Sequence, residues 1–182
     1  MIFTKTKLAD VVLIDVDRKA DERGFFGRTF CRSELAEQGI DFNIAQSNIS
    51  YNKTRGTLRG MHMQSAPFKE AKLVQCIRGS IYDVIIDMRE ESATYCQWLS
   101  TELSDKNKTI LYIPEGFAHG FITLEDDTEV SYQMSEFYKP GYEKGLLWND
   151  PFFNISWLMQ PAVLSEKDKS YALFQPENST SV

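Results

Sequence analysis

Lys72-Leu73-Val74-Gln75-Cys76-Ile77 runs through Arg78-Gly79-Ser80 into Ile81-Tyr82-Asp83-Val84-Ile85-Ile86-Asp87-Met88, and this stretch decides the fold class. Apolar and β-branched residues recur with a period near two on both sides of a glycine, so the pattern predicts a hairpin of half-buried strands with Gly79 in the turn. The same signature returns at residues 11–16, 24–30, 109–113, 120–124 and 129–134. Short strands divided by polar turns imply an antiparallel all-β sandwich or barrel. Helix is scarce. Residues 33–38 before Gly39 predict one short helix with Ser33 as its N-cap, and Ser165-Glu166-Lys167-Asp168 opens a second.

The chain of 182 residues fits one domain, large enough to bury a core without disulfides or metal. With 42% hydrophobic residues and a net charge of -6, it reads as a soluble globular protein, and its acidic balance argues against nucleic acid as a partner. Cys31, Cys76 and Cys96 lack metal-ligand spacing and are odd in number, so reduced thiols are expected. The chain opens without a signal-like segment, and the apolar run at residues 11–14 is too short to span a bilayer, which makes the cytoplasm the expected compartment. A single domain over residues 1–182 is expected, with a flexible polar tail at 176–182.

Both histidines sit in short glycine-flanked motifs, Leu58-Arg59-Gly60-Met61-His62-Met63-Gln64 and Ile113-Pro114-Glu115-Gly116-Phe117-Ala118-His119-Gly120-Phe121. Imidazole is the side chain whose ordinary proton affinity lies near neutral pH, so a pair of them in one pocket points to an enzyme. Gly56, His62, Gln64, Glu70 and Gly79 follow roughly the order of the first motif of cupin-class barrels, and Pro114, Gly116 and His119 match the second. A transition metal there would want about three histidines and a carboxylate. Gln64 stands where a nitrogen ligand belongs, which favours proton chemistry over metal chemistry and leaves no metal expected.

The chain resembles the dTDP-4-dehydrorhamnose 3,5-epimerase family. The resemblance is collinear over nearly the whole chain, through Asp21-Glu22-Arg23-Gly24-Phe25-Phe26, Gln46-Ser47-Asn48, both histidine motifs, Lys72-Leu73-Val74, Tyr132, Tyr138, Glu143, Trp148-Asn149-Asp150 and Ser165-Glu166-Lys167-Asp168. It implies a cupin-like jelly-roll barrel, no cofactor, and a homodimer built by exchange of N-terminal strands. The implied substrate is a nucleoside-diphosphate 4-keto-6-deoxyhexose, whose C3 and C5 protons are acidified by the C4 ketone. By the same resemblance His62 is the base, Asp168 the carboxylate orienting it, Lys72 the cation beside the C4 oxyanion and Tyr132 the acid on the opposite face. Arg23, Phe26, Gln46, Asn48, Arg59, His119, Glu143 and Lys167 are implied to hold the sugar and diphosphate, and Tyr138 to stack on the base.

Each residue taken alone has a plainer reading. Tyr132 could pack inward from an alternating strand, and Asp168 could serve only as the fourth residue of a Ser165 capping box. Lys72 could be a solvated edge charge, and Arg23 and Arg59 surface ion-pair partners of small energetic value. Joint occurrence in family order lifts the set above these. One departure matters: Arg28 stands where the family has a glutamate near the nucleotide end. Arginine offers donors only and thymine N3 is itself a donor, so an Arg28 that reaches the base would suit CDP better than dTDP. Three function classes follow: a cofactor-free epimerase acting at C3, C5 or both; a ketoisomerase or metal-dependent oxygenase on the same barrel; and a sugar-binding barrel without catalysis.

Overall fold

The computed structural model describes residues 1–176; the expected tail lies almost wholly outside the described residues. Two antiparallel sheets face one another and enclose the core, as an all-β, cupin-like jelly roll requires. The six-stranded sheet runs β1 (Ile2–Lys5), β2 (Val12–Asp15), β10 (Ile110–Ile113), β7 (Lys72–Arg78), β12 (Thr128–Met134) and β5 (Gln46–Asn52) in that order. The five-stranded sheet runs β13 (Glu143–Gly145), β6 (Leu58–Gln64), β11 (Phe117–Thr123), β8 (Ser80–Asp87) and β9 (Trp98–Ser104). A separate ribbon pairs β3 (Lys19–Asp21) with β4 (Gly24–Phe26). The helices are α1 (Arg32–Glu37) and α2 (Glu166–Lys169).

Alternation along the strands divides the side chains among three apolar layers. Val74, Cys76, Ile81, Ile85, Leu111, Phe121 and Val130 meet between the sheets. On the outer side of the six-stranded sheet, Val12, Ile14, Leu73 and Ile110 pack under Leu35 of α1 and Phe42. On the outer side of the five-stranded sheet, Met61, Val84, Ile86 and Ala118 are covered by Phe153, with Trp157 and Phe174 beside it. Each such fully buried aliphatic side chain contributes about 1.5–3 kcal/mol by leaving water.

Several expectations need correction. The stretch around Gly79 is no hairpin: β7 pairs with β10 and β12, whereas β8 pairs with β11 and β9. The chain turns a corner there and passes from one sheet to the other. A single residue between Arg78 and Ser80 leaves no room for a two-residue hairpin loop. β8 is buried on both faces rather than half-buried, because the C-terminal segment covers its outer side. The strand expected at 24–30 ends at Phe26. Ser33 lies inside α1, whose N-cap is Cys31 without a side-chain cap bond; the Gly39 N–H does close the helix by donating to the Ala36 carbonyl at 2.9 Å. The strand-like context of His62 is β6, whereas β1, β3, β5, β9 and β13 go beyond the expected strands, since polar residues interrupt their alternation.

Candidate active site

Between the sheets opens a pocket of about 940 Å³, and eleven of the fourteen residues singled out from sequence line it. His62 on β6, His119 on β11 and Arg59 on β6 come from the five-stranded sheet. Lys72 on β7, Tyr132 on β12 and Gln46 and Asn48 on β5 come from the six-stranded sheet. Tyr138, Glu143, Lys167 and Asp168 close the rim.

The two histidine motifs are cross-strand neighbours, with His119 opposite His62. Their flanking glycines permit it: a Cβ on Gly60 would stand 2.5 Å from the Gly120 Cα, so the strands approach closely only because both positions lack side chains. The β6–β11 register breaks between His119 and Phe121, a bulge of the kind that re-aims side chains beside active sites.

Each imidazole has its own carboxylate. His62 Nε2 lies 2.7 Å from Asp168 Oδ1, and His119 Nε2 lies 2.8 Å from Asp83 Oδ2. Both bonds assign the Nε2–H tautomer and leave Nδ1 as the acceptor. Asp168 is held by α2: its N–H donates to Ser165 Oγ at 3.1 Å, and its second oxygen accepts the Gly60 N–H at 3.5 Å. The serine therefore caps the helix as expected, whereas the aspartate side chain turns away from the cap to the histidine. The His62 side chain is 43% exposed, opening on the pocket, while that of His119 is 11% exposed. Burial lowers the proton affinity of His62 below that of ordinary histidine; Asp168 opposes the shift, and Lys72 and His119 add to it. A neutral imidazole with a free Nδ1 lone pair can take a proton from carbon. Burial raises the Asp83 carboxyl, with His119 and Lys72 opposing.

Lys72 Nζ sits 3.1 Å from Glu70 Oε1, both side chains nearly buried. This counter-charge stabilises an ammonium inside the barrel, where it can stand beside an oxyanion. Glu70 Oε2 and Asp83 Oδ1 are buried without a hydrogen-bond partner among the described residues. Gln64 is a bracket rather than a ligand: its amide donates to the Phe68 and Phe137 carbonyls at 3.0 and 3.2 Å, and its oxygen accepts the Lys139 N–H at 2.7 Å. Arg59 Nε donates to Asn52 Oδ1 at 2.7 Å, Gln46 Oε1 accepts the Tyr138 N–H, and Lys167 Nζ lies 3.5 Å from Glu143 Oε1.

Arg23, Phe26 and Arg28 do not line this pocket. Arg23 pairs with Asp21 in the β3–β4 ribbon, and Phe26 is 73% exposed. Arg28 Nη1 binds Glu34 Oε1 at 2.5 Å, and Glu34 also takes the Met1 amino group at 2.6 Å. Sequence reasoning missed Asp83 and Tyr171, and met Glu70 only as part of a metal pattern. An aspartate inside the apolar run of β8 was a usable signal, because a buried carboxylate needs a partner.

The family described as dTDP-4-dehydrorhamnose 3,5-epimerase matches residues 5–176. A dTDP-4-dehydrorhamnose 3,5-epimerase of Methanothermobacter thermautotrophicus is 41% identical over 172 residues, covering 93% of this chain and 92% of that protein. The structure of the enzyme of that name from Bacillus anthracis, with TDP and PPi bound, superposes with a TM-score of 0.92 at 38% identity, covering 95% of this chain and 99% of the other. The dTDP-6-deoxy-D-glucose-3,5-epimerase of Legionella pneumophila, in complex with dTDP-4-keto-L-rhamnose, gives 0.88 at 34% identity, covering 94% and 92%. Likeness of this extent, in sequence and in fold, around a pocket that faces a paired histidine with a tyrosine across the barrel, means that the chain belongs to the dTDP-4-dehydrorhamnose 3,5-epimerase family.

Proposed function

We propose that this protein epimerises dTDP-4-dehydro-6-deoxyglucose at C3 and C5, giving dTDP-4-dehydrorhamnose, by proton removal and return through an enolate. One observation carries the reading: the base and acid candidates stand on opposite sheets, His62 on β6 and Tyr132 on β12, with the pocket between them. Inversion needs a proton taken from one face of the sugar and returned to the other. His62 Nδ1 takes the proton from carbon; the electron pair moves into the C3–C4 or C4–C5 bond, and the C4 oxygen becomes an enolate beside Lys72. The Tyr132 hydroxyl then protonates the same carbon from the opposite face, and solvent resets both groups. Asp168 stabilises the imidazolium as it forms. The C4 ketone supplies the acidity, so the step calls for neither redox nor metal chemistry.

Arg59, Gln46, Asn48, His119, Glu143 and Lys167 hold the sugar and diphosphate in this reading, and Tyr138, 52% exposed at the rim, stacks on the base. The thymidine nucleotide is favoured because the similar structures from Bacillus anthracis and Legionella pneumophila hold TDP and dTDP-4-keto-L-rhamnose, and Arg28 is already engaged by Glu34. The exposed Phe26 and the projecting β3–β4 ribbon support a homodimer in which Arg23 and Phe26 of one subunit reach the other's pocket. Three free thiols suit a reducing cytoplasm, and no helix among the described residues is long and apolar enough to cross a membrane.

The test is an NMR time course in deuterated water with dTDP-4-keto-6-deoxyglucose. Deuterium is expected at C3 and C5 together with inverted product. Label at C3 alone would identify a single-centre epimerase, and binding without label would leave a sugar-binding barrel.

A further inference from the structure

Tyr171 lines the same pocket three residues beyond Asp168, and neither the mechanism above nor the sequence motifs use it. Its ring lies on Gly145: a Cβ there would stand 2.0, 2.2 and 2.4 Å from three of its ring carbons. Gly145 on β13 is in turn the register partner of His62 on β6. The Tyr171 and His62 rings meet edge to face, centroids 6.1 Å apart at 72°. The Tyr171 hydroxyl is buried without a hydrogen-bond partner among the described residues, so packing on Gly145 rather than a hydrogen bond places this ring.

We propose that Tyr171 is a positioning residue for the base: its ring, seated in the space that Gly145 leaves, walls one side of the His62 imidazole from water and fixes the orientation that presents Nδ1 to the substrate. This rests on the reading of His62 as the proton acceptor. Asp168 fixes one end of the imidazole through Nε2, but a single hydrogen bond leaves the ring free to rock about it. An edge-to-face neighbour supplies the second constraint, with an interaction typical of aromatic pairs.

The wall also bears on proton affinity. Burial is the largest cause holding His62 below the ordinary histidine value. The charged and titratable groups around it are Asp168, which opposes that shift, Lys72 and His119, which reinforce it, and Arg59, Glu70, Tyr132, Tyr138, Glu143, Lys167 and Tyr171 itself around the same pocket. Opening the wall admits water and weakens the burial effect, so His62 should gain its proton at higher pH, and the acid limb of the rate profile should move up with it.

Gly145→Ala pushes against the far end of a side chain rather than against backbone, so the variant should fold and act by displacing the ring. Deuterium exchange should slow roughly 10- to 100-fold, the scale of mis-setting a reacting group by about 1 Å. Tyr171→Ala should slow exchange as well, and Gly145→Ala added to it should cost little more, because the two changes remove one contact. The chain has two histidines, so the imidazole titration of His62 can be followed by NMR in the substrate-free protein. It should move to higher pH in Tyr171→Ala and return to the wild-type position in Tyr171→Phe, which keeps the ring.

An unmoved His62 titration in Tyr171→Ala, a Tyr171→Phe protein that behaves like Tyr171→Ala, or additive losses in the double variant would each overturn the proposal. Wild-type protein without exchange on any nucleoside-diphosphate keto-sugar would instead remove the epimerase reading. The substrate-free titration reports on the wall in either case.

Discussion

The barrel pocket and the β3–β4 ribbon carry parts of the same expected site, yet one is assembled within the chain and the other is not. In the pocket, partners far apart in sequence meet at bonding distance, as His62 and Asp168 do at 2.7 Å. On the ribbon Arg23 pairs with Asp21 and Phe26 faces outward, and just beyond it Arg28 pairs with Glu34. Strand register fixes the first set: β6 and β11 align His62 with His119, and α2 delivers Asp168 whatever else the protein meets. The second set is tied instead to carboxylates away from the pocket, Arg23 to Asp21 and Arg28 to Glu34. The contrast separates residues that the fold gathers into the pocket from residues that it leaves outside it.

The largest test of that contrast is inside the pocket. His62→Ala should lower deuterium exchange by about 10²–10⁴-fold, the usual worth of a positioned general base, while nucleotide affinity by calorimetry stays near wild type. Asp168→Asn should fall between wild type and His62→Ala, since it mis-sets the tautomer and keeps the base. Unchanged exchange in His62→Ala would remove the pocket's claim to the chemistry.

The ribbon should yield a smaller loss of a different kind. Arg23→Ala should raise KM about tenfold, the worth of roughly 1.4 kcal/mol of phosphate binding, with kcat little changed. Mixing it with His62→Ala protein then asks whose pocket the ribbon serves. In the proposed dimer, a mixed pair regains one site in which both residues are intact only if Arg23 acts across the interface. Activity no greater than the average of the two parents would place the ribbon against its own subunit.

Arg28→Glu should have the smallest effect. Because Arg28 is engaged by Glu34 at the surface, the ratio of TDP to CDP affinity should stay within about threefold, well under the roughly 1.5–3 kcal/mol of a charged hydrogen bond to the base. The new carboxylate would face Glu34, whose own carboxyl is held down to about 2 by the Met1 amino group and Arg28. The cost should therefore appear as weaker anchoring of the N-terminal strand at neutral pH, and lessen as acid protonates the pair. A tenfold swing toward TDP would return Arg28 to the nucleotide and revive the CDP reading.

Much of this site was legible because its residues lie in motifs with fixed offsets. Gly60 and Gly120 mark where two strands come close, and Ser165 marks the helix start that aims Asp168. The corner at Gly79 was not legible, since period-two alternation is identical whether the next strand returns beside its neighbour or crosses to the facing sheet. Asp83 escaped for a related reason: only the β8–β11 pairing shows that it faces His119. Tyr171 follows the last recognised motif and has no periodic context, so its contact with Gly145 exists only in three dimensions.

The passage of the chain between sheets at Gly79 also shapes how the protein comes into being. β7 and β8, adjacent in sequence, lie in different sheets, and β2 finds its inner partner only in β10, where Leu13 lies opposite Leu111. During synthesis Val12 and Ile14 therefore emerge long before Leu73 and Ile110, which complete their layer, and β5 waits likewise for β12. Such long-range closure places the domain among slow folders, in the millisecond-to-second range. Its nascent N-terminal half, bearing unpaired strand edges, is the stage at which chaperone binding or aggregation would compete with folding.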